Sequence, residues 1–323
     1  MITAASHPPI APLRSAWSAL PPEYAIPEQA PSEAEARAYC RRLARSHYEN
    51  FSVASWFLPE RLRQHFFNVY AYCRISDDLG DEVGDSAASL LLLEQWENEL
   101  NACYDDDHSR QPRHPVFVAL AETVRKFEIP KHEFADLLTA FRQDQSVGRY
   151  ETFNDLLGYC RYSANPVGHL VLYLCGYRDS ERQQFSDYTC TALQLANFWQ
   201  DVSADFAKGR IYLPLEDLRR FGVSEAAIRD GENTSAFREM MGFEVERARE
   251  WFTQGLPLIG KVERELATDI ELFSRGGQEI LNAIERQGCA VLGRRPAISK
   301  ARKLALVARA ALGKLLGPRE KER

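Results

Sequence analysis

Two pairs of aspartates at helical spacing constrain this chain more than any other feature. Asp77 and Asp81 lie in the run Asp77-Asp78-Leu79-Gly80-Asp81-Glu82, and Asp201 and Asp205 in Asp201-Val202-Ser203-Ala204-Asp205. Both runs sit inside long segments that read as helix. At 3.6 residues per turn, an i, i+4 pair emerges on one face. Like charges there destabilise an isolated helix, so two such pairs ask for compensation. Hard divalent cations such as Mg2+ prefer carboxylate oxygen and commonly bridge a few carboxylates to substrate phosphates. Two acidic helices facing one another would therefore make a site for magnesium and a diphosphate.

The neighbouring residues sharpen the pattern. At about 100° per residue, Tyr70, Arg74, Asp77 and Asp81 fall within an arc of roughly 60°. Gln194, Asn197, Asp201 and Asp205 fall within about 80°. Each stripe joins two carboxylates to neutral or cationic hydrogen-bonding groups. Asp78 and Glu82 project well round the helix and are expected to support the stripe or face solvent. Gly80 costs about 1 kcal/mol relative to alanine in a helix interior, which marks a place where something approaches the backbone. Taken singly, either acidic run reads more simply as a solvated helix face. The recurrence of a similar stripe on a second helix is what favours a site.

The chain has 323 residues, 45% of them hydrophobic, and a net charge of −6. Nothing in that balance points to nucleic acid. The seven cysteines (Cys40, Cys73, Cys103, Cys160, Cys175, Cys190 and Cys289) are scattered singly, without a CxxC pair. That suits reduced thiols in a cytoplasm rather than a disulfide framework or zinc site. Residues 1–33 are rich in proline and alanine and lack a secretory signal, so a loosely packed leader is expected. Residues 34–316 read as one all-α domain, followed by a basic tail at 317–323. Helices are expected over 33–48, 60–81, 86–104, 114–127, 131–146, 152–162, 166–176, 179–204, 215–220, 224–229, 234–254, 258–287 and 297–315. Pro59, Pro130, Pro166, Pro214 and Pro257 punctuate them. Several are apolar on more than one side, as in a large bundle around a central cavity.

Residues 300–316 form an apolar and basic segment. Arg309 and Lys314 interrupt it, leaving no uncharged run long enough to span a bilayer. A terminal helix packed on the bundle is the simpler expectation. Peripheral contact with an anionic membrane surface is the alternative.

The stretch Gln194-Leu195-Ala196-Asn197-Phe198-Trp199-Gln200-Asp201-Val202-Ser203-Ala204-Asp205, followed by Lys208-Gly209-Arg210-Ile211-Tyr212-Leu213-Pro214, resembles the second signature of the squalene and phytoene synthase family. Tyr70-Ala71-Tyr72-Cys73-Arg74-Ile75-Ser76-Asp77-Asp78-Leu79-Gly80-Asp81 resembles its first. The similarity runs from about residue 36 to residue 312. Three stretches look most like the bacterial hydroxysqualene synthases of hopanoid biosynthesis: 47–56, 161–168 and 197–201. The resemblance implies an all-α isoprenoid synthase fold. It also implies an enzyme that ionises presqualene diphosphate with Mg2+ and captures the cation with water, giving hydroxysqualene and diphosphate. No NADPH would be consumed. Functional coupling to the upstream synthase and the downstream reductase of the pathway would follow, in the cytoplasm or on the inner face of its membrane.

Carried over residue by residue, Asp77, Asp81, Asp201 and Asp205 match the family's magnesium-binding aspartates. Arg74 and Tyr70 match the arginine and tyrosine that face the diphosphate, and Gln194 and Asn197 match the polar pair on the facing helix. Tyr212 matches a tyrosine after the second motif, Arg295 a basic residue near the C-terminus, and His47 a histidine of the early substrate segment. Asn165, before the break at Pro166, is a candidate to position the water, although a plain helix break explains it as well. His169 beside it reads as structural.

Two departures bear on the substrate. Gln200 stands where many relatives carry arginine, and Glu49 and Asn50 stand where condensing relatives often carry lysine or serine. A head-to-head condensing enzyme holds two diphosphates, about four to six negative charges, beside its metals. Fewer basic groups suit an enzyme that takes one diphosphate. The rival expectations are a condensing synthase of the same family and a non-catalytic prenyl diphosphate binder. A binder has no need of all four aspartates.

Overall fold

The computed structural model describes residues 16–46, 59–105, 107, 109–299, 301–306 and 308. Its regular structure is helical, and the only ladder-like pairing among the described residues is a single bridge between Arg149 and Ile211. The chain gathers into two compact units, residues 16–46 with 64–146 and residues 59–63 with 147–308.

The first unit carries a 3-10 turn at Pro22–Tyr24, then α1 (Glu33–Ser46), most of α2 (Glu60–Asp81), α3 (Ser86–Cys103), α4 (Pro115–Phe127) and α5 (His132–Gln143). Helix starts follow local chemistry. Ser32 and Glu35 form a reciprocal cap at α1, Asp85 accepts from the Ala88 amide at α3, and Pro115 opens α4 behind a His114 cap. Helix α1 packs on α4, and α3 packs on α4 and α5. Between them Tyr72, Trp96, Phe117 and Phe134 are fully buried, meeting at 4.5 to 6.4 Å between ring centroids. Their polar ends are satisfied: Tyr72 donates to the Phe134 carbonyl, and the Trp96 indole donates to Ser76 Oγ.

Residues 16–33 do not behave as the loose leader expected from composition. Leu20 and Tyr24 are buried, and Tyr24 donates from its hydroxyl to Asp78 Oδ2 at 2.8 Å. An aromatic anchored by a charged acceptor overrides the proline-rich composition around it.

The second unit contains α6 (Phe153–Ser163), α7 (Asn165–Leu174), α8 (Ser180–Ala207), α9 (Leu215–Phe221), α10 (Glu225–Arg229), α11 (Ser235–Gly255), a 3-10 segment (Leu256–Lys261) and α12 (Arg264–Arg286). Helix α8 is its axis and packs against α6, α7, α10, α11 and α12. The continuous helix expected over 258–287 is broken. Pro257 directs a 3-10 turn, Val262 and Glu263 are extended, and the Glu263 amide donates to the Tyr177 hydroxyl. The C-terminal helix also starts later than 297. Residues 301–306 are helical, after Ser299, whose Oγ accepts from the Arg302 amide.

Close crossings rest on glycines. A Cβ at Gly277 would stand 2.3 Å from Phe252 Cζ and 2.8 Å from Leu193 Cδ2, whereas one at Gly276 meets nothing within 4 Å. Overpacking of this kind costs about 1–3 kcal/mol. Gly277→Ala is therefore expected to lower the melting temperature by about 1.5–5 °C. Gly276→Ala, on the same helix, should hold or raise it. A calorimetric scan of the two variants checks the pair, and equal melting temperatures would contradict the crossing.

Candidate active site

Helix α2 is buried almost all the way round from His65 to Gly80. Only Tyr70, Cys73, Arg74 and Asp77 are partly open there, with Asp81 following at the helix end. The stripe read from the sequence is thus the accessible seam of an otherwise enclosed helix. That is not how a solvated acidic face looks, since its flanks would be open too. Gly80 is closely approached, but by protein: Phe141 carbons stand 3.2 Å and 3.3 Å from where its Cβ would be, and Gln145 Nε2 donates to the Gly80 carbonyl at 2.8 Å.

Asp78 has a larger role than its angular position suggested. It is 5% exposed and accepts from Arg74 Nε at 3.0 Å, from Arg74 Nη2 and from the Tyr24 hydroxyl. Arg74 Nη1 lies 3.6 Å from Asp77 Oδ2. Arg74 is thus held in a two-point grip by Asp78 while its other face remains beside Asp77. Burial works against the Arg74 charge, but the Asp78 hydrogen bond and the charges of Asp78 and Asp77 outweigh it, holding its pKa above the ordinary arginine value. Burial also raises the Tyr70 hydroxyl above the ordinary tyrosine value. The spacing of Arg74 and Asp78 at i, i+4 was the available signal for this grip.

Helix α8 repeats the arrangement in the second unit. Its packed length from Thr191 to Val202 is buried except at Leu193, Gln194, Asn197 and Asp201, and Asp205 continues the open line. Arg295, from the segment after α12, lies on this line. Its Nε and Nη2 donate to the two oxygens of Asp201, the latter at 2.9 Å, and Nη2 also donates to Gln200 Oε1 at 3.1 Å. The Asp201 hydrogen bond raises the Arg295 pKa above its ordinary value.

The remaining candidates divide. Tyr212 is buried, its ring stacked on Phe198 at 3.9 Å between centroids, with Tyr150 and Tyr159 completing the cluster. Asn165 is buried, and its Oδ1 accepts from Thr191 Oγ1 at 3.0 Å, which ties α7 to α8. His169 Nε2 lies 2.7 Å from Asp187 Oδ1. His47 and Asn50, with Glu49, lie outside the described residues.

The metal question turns on donor chemistry. Among the described residues, no three His, Cys, Asp or Glu gather into a ready-made cage. Each stripe instead offers two carboxylates one turn apart. Mg2+ is usually held by one or two carboxylates, with substrate phosphate and water filling the shell. All-carboxylate pairs beside an arginine fit that ion together with a diphosphate. All seven cysteines are free thiols, and no described helix is long and apolar enough to cross a membrane.

The family model described as "Squalene/phytoene synthase" matches residues 44–302. The crystal structure of squalene synthase HpnC from Alicyclobacillus acidocaldarius is similar with a TM-score of 0.74 and 43% identity, over 85% of this chain and 98% of that one. A dehydrosqualene synthase in complex with ligand superposes with a TM-score of 0.78 at 26% identity, over 88% of this chain and 98% of that one. A phytoene synthase of Arthrospira platensis is 30% identical over 269 residues, 79% of this chain and 86% of that protein. The all-α architecture is that of the isoprenoid synthases. The chain belongs to the squalene/phytoene synthase family.

Proposed function

We propose that the protein is a hydroxysqualene synthase, which ionises presqualene diphosphate and lets water terminate the rearranged cation. The observation that carries this reading is the 43% identity to squalene synthase HpnC over nearly the whole of that chain, against 26% and 30% to the dehydrosqualene and phytoene synthases. Gln200 supports it. This neutral residue is 6% exposed, and its amide is spent on Arg295 and on the Pro296 carbonyl. It adds no positive charge for a second diphosphate.

Asp77 and Asp81 on α2, and Asp201 and Asp205 on α8, would hold Mg2+. When bound, Mg2+ supplies Lewis-acid stabilisation of the departing diphosphate. Arg74 would donate charge-assisted hydrogen bonds to the same oxygens, pre-aligned by Asp78 so that little reorganisation remains at the moment of ionisation. The Tyr70 hydroxyl would donate beside it. Arg295 would do the same on the α8 side. Gln194, half-buried, and Asn197, exposed, would orient the polar end of the substrate from α8. Peripheral contact of residues 300–316 with an anionic membrane belongs to this reading as the route of an apolar substrate.

The condensing alternative is supported by the phytoene synthase relatives. Incubating the purified protein with Mg2+ and presqualene diphosphate, without NADPH, is expected to give hydroxysqualene by mass spectrometry. Farnesyl diphosphate in a parallel tube is expected to stay unconsumed. Turnover of farnesyl diphosphate would make the protein a condensing synthase and overturn the charge argument at Gln200.

A further inference from the structure

The segment that follows α12 is strapped across the acidic end of α8 by contacts on both sides of Arg295. Leu292 exchanges two hydrogen bonds with the Asn233 side chain. The Gly293 amide donates to Ser203 Oγ at 3.2 Å, and Gln287 donates to the Arg294 carbonyl. Gln200 then donates from Nε2 to the Pro296 carbonyl at 2.6 Å and accepts from Arg295 at its Oε1. Leu292 and Pro296 are buried, whereas Gly293, Arg294 and Arg295 between them are exposed. The strap is therefore pinned at its ends, and of its two exposed arginines Arg295 is the one whose guanidinium covers both oxygens of Asp201.

We propose that Arg295 is a latch on Asp201 and that Gln200 is the residue that positions it, so that a divalent cation takes Asp201 only once a diphosphate draws the guanidinium away. The proposal rests on the reading of Asp201 as a metal ligand. A guanidinium and a metal ion compete for the same two oxygens, so the free enzyme should bind metal weakly on its own. An incoming diphosphate offers Arg295 an equivalent bidentate acceptor, and release of Asp201 then coincides with arrival of the anion that the metal must bridge. Substrate and metal binding become mutually favourable, as linkage requires. Gln200 suits this task better than arginine would. An arginine at 200 could donate to Pro296 but could accept nothing from Arg295, and it would set two cations side by side.

Titration with Mn2+ followed by electron paramagnetic resonance, with and without inorganic diphosphate, tests the latch without any prenyl substrate. Arg295→Gln is expected to bind Mn2+ alone about fivefold more tightly than wild type, the scale of one well-aligned exposed ion pair. It should bind diphosphate in the presence of Mn2+ more weakly. These opposite signs are not produced by simple damage to the site. Gln200→Ala should move both affinities in the same directions by less, and Arg295→Lys should fall between wild type and Arg295→Gln. Unchanged or weaker Mn2+ binding by both Arg295 variants would sink the latch. A wild-type response from Gln200→Ala would remove its positioning role. Asp201→Ala separates the two readings in the presence of diphosphate: if it still binds Mn2+ there as wild type does, the metal assignment fails, and if it does not, only the latch is in question.

Discussion

Alanine at Asp77, Asp81, Asp201 or Asp205 will lower turnover by about 10²- to 10³-fold or more, the usual cost of removing one preorganised electrostatic group from a transition state. The melting temperature should hardly move, because all four carboxylates lie on partly open seams and none fills the core. Asp78→Ala is the informative contrast. That carboxylate is buried and joins α2 to Tyr24, so its loss should reduce both turnover and thermal stability. The half-buried Arg74 guanidinium would lose its two-point acceptor, and the phenol of buried Tyr24 would lose its own. Single-turnover rates and calorimetry on the five variants check the whole pattern. Near wild-type turnover by Asp81→Ala or Asp205→Ala would refute their assignment as magnesium ligands.

What was legible in the sequence was whatever the helix repeat encodes locally. The stripes Tyr70–Arg74–Asp77–Asp81 and Gln194–Asn197–Asp201–Asp205 follow from 3.6 residues per turn, and both emerge as the open seams of buried helices. The helix starts expected at 86, 152, 179, 224 and 234 fall within one residue of the observed ones, where Asp85, Thr152, Asp179, Ser224 and Thr234 each accept from an amide of the first turn. What could not be read was long in sequence and short in space. Tyr24 reaches Asp78 across 54 positions, and Arg295 reaches Asp201 across 94. Composition marked residues 16–33 as loose because it carries no record of one anchored tyrosine. The break at Val262 was hidden because Pro257 announces an interruption earlier than the chain makes it.

The largest stability effect should come from a cluster that touches no part of the candidate site. Arg247 Nη1 donates to Asp217 Oδ2 at 2.7 Å and to both oxygens of Glu244 at 3.2 Å, and its guanidinium lies over the rings of Phe153 and Phe243. Glu244 is fully buried and Asp217 is 2% exposed. Breaking a buried charge cluster by removing one partner costs about 3–5 kcal/mol. Arg247→Met, which keeps the apolar bulk against the rings, is therefore expected to lower the melting temperature by about 4–7 °C at pH 8.5. Burial, only partly offset by Arg247, lifts the Glu244 carboxyl to about 8, so the folded chain holds that proton more tightly than the unfolded chain does. The stabilisation is complete below the ordinary glutamate range and is lost as pH rises toward 8. Wild-type stability should accordingly decline between pH 6 and 8.5, and Glu244→Gln should flatten that decline. The Arg247→Met deficit should narrow toward pH 6, where Glu244 stays protonated and no longer needs its cation. Melting curves across that range decide it, and a deficit independent of pH would show that Glu244 is not the partner through which Arg247 stabilises the fold, leaving Asp217 and the packing on Phe153 and Phe243.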